Sequence, residues 1–192
     1  MNNFSIKNKV IAGYVIILLL MVIVSTVSYN SSKSLANTSK WVEHTHKVIT
    51  TASRVGASMV DMETGKRGFL ITGYEIYLGP YYSGEVDFNI FLNQGLNLTS
   101  DNQIQIKRWN EILELKNKWI EESAQPEIKL RKSTTDYIEK ITEVMTIGIG
   151  KKYIDAIREK VDLLIKTEEE LLKSRTKNQE DSAELATNIV IV

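Results

Sequence analysis

The chain has 192 residues, with 24 basic against 24 acidic side chains, no cysteine and two prolines. Balanced charge removes the bulk field that nucleic-acid binding uses, and the lack of cysteine removes disulfides, thiol nucleophiles and thiolate metal sites. The length suits one domain with a sizeable core, and plentiful Lys, Glu, Leu and Ile with few alternating runs predict an all-α chain.

Lys7 and Lys9 precede an uncharged stretch from Val10 to Val27, VIAGYVIILLLMVIVSTV. At helical rise this just crosses a hydrocarbon core of about 30 Å. We expect a cytoplasmic N-terminus over 1–9 and a transmembrane helix over 10–29, the lysines keeping the short end inside. A cleaved signal peptide, with Ser34-Leu35-Ala36 as its small-residue site, is the competing reading, but the apolar run exceeds the about 7–15 residues usual there. At the other end Leu185 to Val192, LATNIVIV, turns apolar again. We read 184–192 as the start of a second transmembrane helix inside which the sequence stops, a hydrophobic tail being the alternative. Residues 30–183 are then an extracytoplasmic helical domain tethered to the inner membrane at both ends.

Between the spans, 30–40 is polar and reads as a helical stalk. From Trp41 an apolar seam runs through Val48, Ala52, Val55, Met59, Met62 and Phe69, with Lys66 in its one polar slot. Glu63 and Arg67 lie one turn apart beside it, the acid on the N-terminal side as the favourable orientation requires. Thr72-Gly73 reads as a helix stop and reversal. Pro80 suits the first turn of a second helix, whose apolar face continues through Tyr81, Phe88, Leu92 and Leu96. Thr99 to Asn102 forms a loop with N-cap residues, followed by a third helix with a kink expected at Pro126. Ser133 to Asp136 offers another cap, before a short helix closed by Gly148 and Gly150. The last helix carries Ile154, Ile157, Val161, Leu164 and Leu171, and Glu168 occupies a seam position where a charge costs stability unless paired. These elements predict an antiparallel four-helix bundle with long first and last helices.

Asp61 to Tyr81, DMETGKRGFLITGYEIYLGPY, resembles the signature of the third type of CHASE domain, an extracytoplasmic sensor module of bacterial histidine kinases, chemoreceptors and cyclase-type signalling proteins. Asp61, Glu63, Thr64, Gly65, Arg67, Gly68, Leu70, Thr72, Gly73, Tyr77, Leu78, Pro80 and Tyr81 match at unbroken spacing. Trp41-Val42, His44-Thr45 and Val48 match at the start of the first helix, and Glu168, Leu171-Leu172 and Arg175 in the last. Lys66 departs from the glutamine common there and adds a charge beside Arg67. The resemblance implies a homodimeric transmembrane receptor with a cytoplasmic output, and it supplies no ligand.

Asp61, Glu63, Thr64, Gly65, Arg67, Gly68, Thr72, Gly73 and Pro80 are therefore read first as structural, the glycines admitting a neighbouring helix and the Glu63–Arg67 pair positioning the hairpin. The functional alternative is a ligand pocket using Arg67, Tyr77 and Tyr81, Arg67 being suited to bidentate pairing with an anion; a dimer contact is the third reading. For Tyr74, Tyr77, Tyr81 and Tyr82 packing is favoured over recognition. His44 and His46 are two apart, face different ways on a helix and make no chelate. His44 lies about 14 residues above Asn30 and Glu168 about 15 before Ala183, each about 21 Å at helical rise. We therefore expect a polar layer of His44 and Glu168, with Arg175 nearer the membrane.

No phosphate-cradling loop, nucleophile with base or metal quartet is present, so catalysis, a metal and a cofactor are not expected within these residues. The expected function is the sensory input of a transmembrane receptor, a chemoreceptor favoured slightly over a histidine kinase. Its stimulus is an unknown small molecule or protein, and nucleic acid is excluded as a partner. A membrane-anchored helical scaffold without signalling output is the rival.

Overall fold

In the computed structural model of the chain, residues 5–133 and 138–191 are described, the side chains of 182 and 185–191 excepted. Among them there are helices and no strand, so the fold is an all-α helical bundle. The elements are α1 (Ile6–Thr72), a 3-10 turn (Glu75–Leu78), α2 (Gly79–Leu98), α3 (Gln103–Trp119), a π-turn (Ile120–Ala124), α4 (Gln125–Ser133), α5 (Ile138–Ile147) and α6 (Ile149–Ile191). The cap expected at Ser133 to Asp136 falls largely outside the described residues, as do the side chains of most of the second span expected over 184–192.

The chain divides into two compact units, one of residues 1–43 with 171–192 and one of 44–170. In the first, α1 contains a stretch long and apolar enough to cross a membrane, none of it buried by protein. Within this stretch Thr26 Oγ1 donates to the Val22 carbonyl at 2.8 Å, satisfying its hydroxyl within the helix. Also in this unit, the Arg175 guanidinium lies 4.0 Å from the centre of the Trp41 ring, a cation–π contact.

The second unit holds the core. The α1 seam is buried at every expected position, Val48, Ala52, Val55, Met59, Met62 and Phe69 being at most 2 % exposed. Against it pack Tyr81, Phe88 and Leu92 of α2, Trp109, Ile112 and Trp119 of α3, and Ile154, Ile157, Val161 and Leu164 of α6. The pairings are antiparallel. Gly65 of α1 abuts Tyr81 of α2, while Ser58 and Met62, earlier in α1, abut Gly84, later in α2.

Local signals end the helices where expected. Gly73 stops α1 at φ +76, Gly148 stops α5 at φ +75, and a proline occupies the first turn of α2. Asn102 caps α3, its Oδ1 accepting from the Ile104 and Gln105 amides at 3.1 and 3.2 Å. In that turn Trp109 Nε1 donates to Thr99 Oγ1 at 3.1 Å.

Where a kink is expected at Pro126, the helix instead carries a π-turn just before it, at Ile120–Ala124. Proline has no N–H for the carbonyl four residues back, here Glu122, and its ring crowds that carbonyl. The rod absorbs this by widening, the Gln125 amide reaching back five residues to the Ile120 carbonyl. Across this turn Trp119, Ile120, Ser123, Ala124 and Glu127 are all buried.

Candidate functional site

The α1–α2 hairpin is built on close approach. A Cβ on Gly65 would lie 2.5 Å from the Tyr81 amide nitrogen and 3.1 Å from the Tyr77 carbonyl oxygen. One turn on, Gly68 leaves room for the Tyr77 ring, 3.1 Å from where its Cβ would be. At the reversal, the space a Gly73 side chain would need is filled by the Arg131 guanidinium, whose Nε donates to the Leu70 carbonyl at 3.2 Å. Thr72 bonds both ways: Oγ1 donates to the Gly68 carbonyl at 2.8 Å and accepts from the Tyr74 amide at 3.2 Å.

Glu63 and Arg67 pair at 2.7 Å, with Glu63 largely buried and Arg67 about half exposed. The same carboxylate stands 3.9 Å from Arg158 of α6. Asp61 and Thr64 point to solvent. Of the residues considered for ligand contact, Arg67 lines a cavity of about 360 Å³ with Leu70, Ile71, Ile138, Ile141, Thr142 and Met145. Tyr77 and Tyr81 do not line it. Tyr77 covers Gly68, and Tyr81 is buried with its ring centre 6.2 Å from that of Trp119. Packing thus accounts for Tyr81 and for the covered side of Tyr77, whereas Tyr74 and Tyr82 stand exposed.

Burial pushes the Tyr81 phenol up to about 12, with Glu85 and Tyr82 adding in the same direction. The native state therefore keeps its proton where the unfolded chain, titrating near pH 10, has lost it. Stability should fall as pH rises from about 10 to 12. Tyr81→Phe should flatten that fall in urea unfolding followed across this pH range; an unchanged slope would exclude Tyr81 as its source.

Lys66 corrects one expectation. Neighbouring helix positions point about 100° apart, so its charge is not beside Arg67 but inside the bundle, 4 % exposed. Its ammonium pairs with Glu127 at 2.8 Å, donates to Ser123 Oγ at 3.3 Å and lies 5.1 Å from the centre of the Trp119 ring. Ser123 in turn donates to the other Glu127 oxygen, closing a Lys–Ser–Glu triangle that the sequence reading missed.

Glu168 is buried as its seam position suggests, and its partner is Gln105 of α3, whose Nε2 donates to Oε1 at 3.0 Å. Gln105 Oε1 accepts from Arg108 at 3.1 Å, and Arg108 donates to Thr167 Oγ1 at 2.6 Å. The amide thus links a cation to the buried carboxylate, and neither Gln105 nor Arg108 was singled out from the sequence. His44 is half-buried in α1 beside fully buried Thr45. Arg175 belongs to the other compact unit, on Trp41. Among the described residues no group of three or more His, Asp and Glu is arranged to hold a metal ion.

No curated protein and no solved structure matches the chain. Residues 38–178 match the CHASE3 domain, and this span takes in the hairpin, the Lys66 triangle, the Glu168–Gln105 contact and the Arg175–Trp41 stack. The chain belongs to the CHASE3 family, extracytoplasmic sensor domains of bacterial receptors.

Proposed function

We propose that the chain is the sensory input region of a bacterial transmembrane receptor that relays an extracytoplasmic stimulus to a cytoplasmic output through displacement of α6 against α1. The observation that carries this reading is continuity. α1 runs unbroken from an apolar stretch able to cross a membrane into a domain of the extracytoplasmic CHASE3 family. A helix with no break transmits a shift at one end to the other, and α6 is likewise unbroken from Ile149 to Ile191. Receptors of this kind work as homodimers, with 1–9 in the cytoplasm, 10–29 and the span starting at 184 in the membrane, and 30–183 outside. The opening SIKNKVIAGYVIILLLMVIV favours a chemoreceptor output over a histidine kinase, by its likeness to chemoreceptor starts.

The absence of native cysteine makes the topology directly testable. Single cysteines at exposed Ser5, Ser83 and Asn97 are treated in intact cells with a membrane-impermeant maleimide. Labelling of S83C and N97C with S5C protected is expected. Labelling of S5C alone, or of none until the cells are lysed, would overturn the proposal.

A further inference from the structure

The short helix α5 presents Ile138, Ile141, Thr142 and Met145, at i, i+3, i+4 and i+7, to the end of α1. That spacing is an amphipathic stripe of the kind that packs directly on a neighbour. Here it faces a cavity of about 360 Å³ instead, within the range of about 300–1,000 Å³ typical of small-molecule sites. Leu70 and Ile141 are buried and form the floor, whereas Ile71, Ile138 and Met145 stand 75, 68 and 44 % exposed around the rim.

Among the described residues the lining is aliphatic, with no aromatic ring and no carboxylate. Its two polar residues differ in what they offer. The Thr142 hydroxyl donates to the Ile138 carbonyl at 2.7 Å, so its proton is committed. The Arg67 guanidinium supplies donors only, five in a planar fork, and its Nη2 meets Glu63 at 2.7 Å. Among the described residues, the ion pairs around it join three cations to two carboxylates: Glu63 serves Arg67 and Arg158, and Asp155 serves Arg158 and Lys151.

From this we infer that the α1–α5 cavity is a binding site for a small aliphatic monoanion, such as a short-chain carboxylate, with its apolar body on the α5 stripe and its charge on Arg67. The inference deepens the sensory reading, by naming a stimulus class, and rests on that reading for its consequence. An anion on Arg67 competes with Glu63 for the fork. Released in part, the Glu63 carboxylate closes on Arg158, now 3.9 Å away, and so tightens α1 to α6. Only Gly148 separates α5 from the start of α6, giving occupancy a second route to the same helix.

The test uses the full chain in lipid nanodiscs with ¹³C-methyl methionine, the probe sodium hexanoate, and hexanol and hexylamine as uncharged and cationic matches. Met145 reports the cavity, and Met21, in the apolar stretch, reports partition into lipid. Hexanoate should shift the Met145 methyl saturably, while hexanol and hexylamine do so at least about tenfold more weakly. Arg67→Gln should erase the preference for hexanoate, Glu63→Gln should tighten hexanoate binding by freeing the fork, and Ile138→Trp, at an exposed rim position, should block all three. Equal binding of hexanoate and hexanol, no saturation, or full hexanoate binding by I138W would overturn the proposal. So would a Met145 shift that follows protein concentration without ligand, which would mean that a second copy covers the cavity. Each of these failures leaves the maleimide labelling pattern untouched, so loss of this site and loss of the receptor topology are read separately.

Discussion

Lys66→Met should destabilise the chain by about 3–5 kcal/mol, the usual cost of leaving one member of a buried ion pair alone. Both side chains are at most 5 % exposed. The Lys66 ammonium neutralises Glu127 across 2.8 Å, and Ser123 completes the contacts. Methionine fills the stem's volume and keeps a contact with the Trp119 ring, so the loss reports the stranded carboxylate rather than a cavity. Replacing the whole triangle, as Lys66→Met with Ser123→Ala and Glu127→Met, should recover most of the loss, because an apolar core of similar volume is often as stable as a buried pair. Urea unfolding in nanodiscs measures both. A single variant within about 1 kcal/mol of the parent would show that water reaches Glu127, since only solvent could hold a lone carboxylate so cheaply. Lys66→Gln, which restores the residue common in the family, should cost nearly as much, because here Glu127 accompanies the lysine.

That triangle marks the limit of what periodicity can read. The α1 seam, the Gly73 stop, Pro80 at the start of α2, the Asn102 cap and Glu168 as a buried seam charge all follow from spacing within one element. The pairing of Glu127 and Ser123 with Lys66 does not. Counted at 3.6 residues per turn from Trp109, Glu127 falls five full turns on and Ser123 within about 40° of the same face, so their burial follows the helix period. What spacing cannot tell is that the charge they meet lies on α1, 57 positions before Ser123. Gln105 was hidden for a similar reason, since a buried amide is recognisable only by the carboxylate it meets 63 positions away. The α5 cavity is invisible in the same sense, because an apolar stripe reads identically whether it faces protein or space.

Gly65→Ala is the second large effect, and its neighbours make a graded series within one protein. On sequence grounds alone the change should help, because alanine gains about 1 kcal/mol over glycine inside a helix. At Gly65 the new methyl meets backbone, the Tyr81 nitrogen at 2.5 Å, the Tyr77 oxygen at 3.1 Å and the Pro80 carbonyl carbon at 3.2 Å. Backbone cannot turn aside as a side chain can, so α2 must retreat from α1 along the hairpin. A net loss of about 2 kcal/mol or more is expected after the helix gain, at the upper end of overpacking costs. Gly68→Ala meets the Tyr77 side chain, its ring at 3.1 Å and its Cβ at 3.3 Å; the half-exposed ring has solvent into which to swing, so its loss should be smaller than at Gly65, under about 1 kcal/mol. Gly79→Ala meets nothing within 4 Å and should be neutral or slightly stabilising. Urea unfolding of the three variants should give the order Gly65, Gly68, Gly79. A Gly65→Ala variant no worse than Gly68→Ala would mean that the hairpin adapts freely, and the family's glycines would then need an explanation other than helix approach.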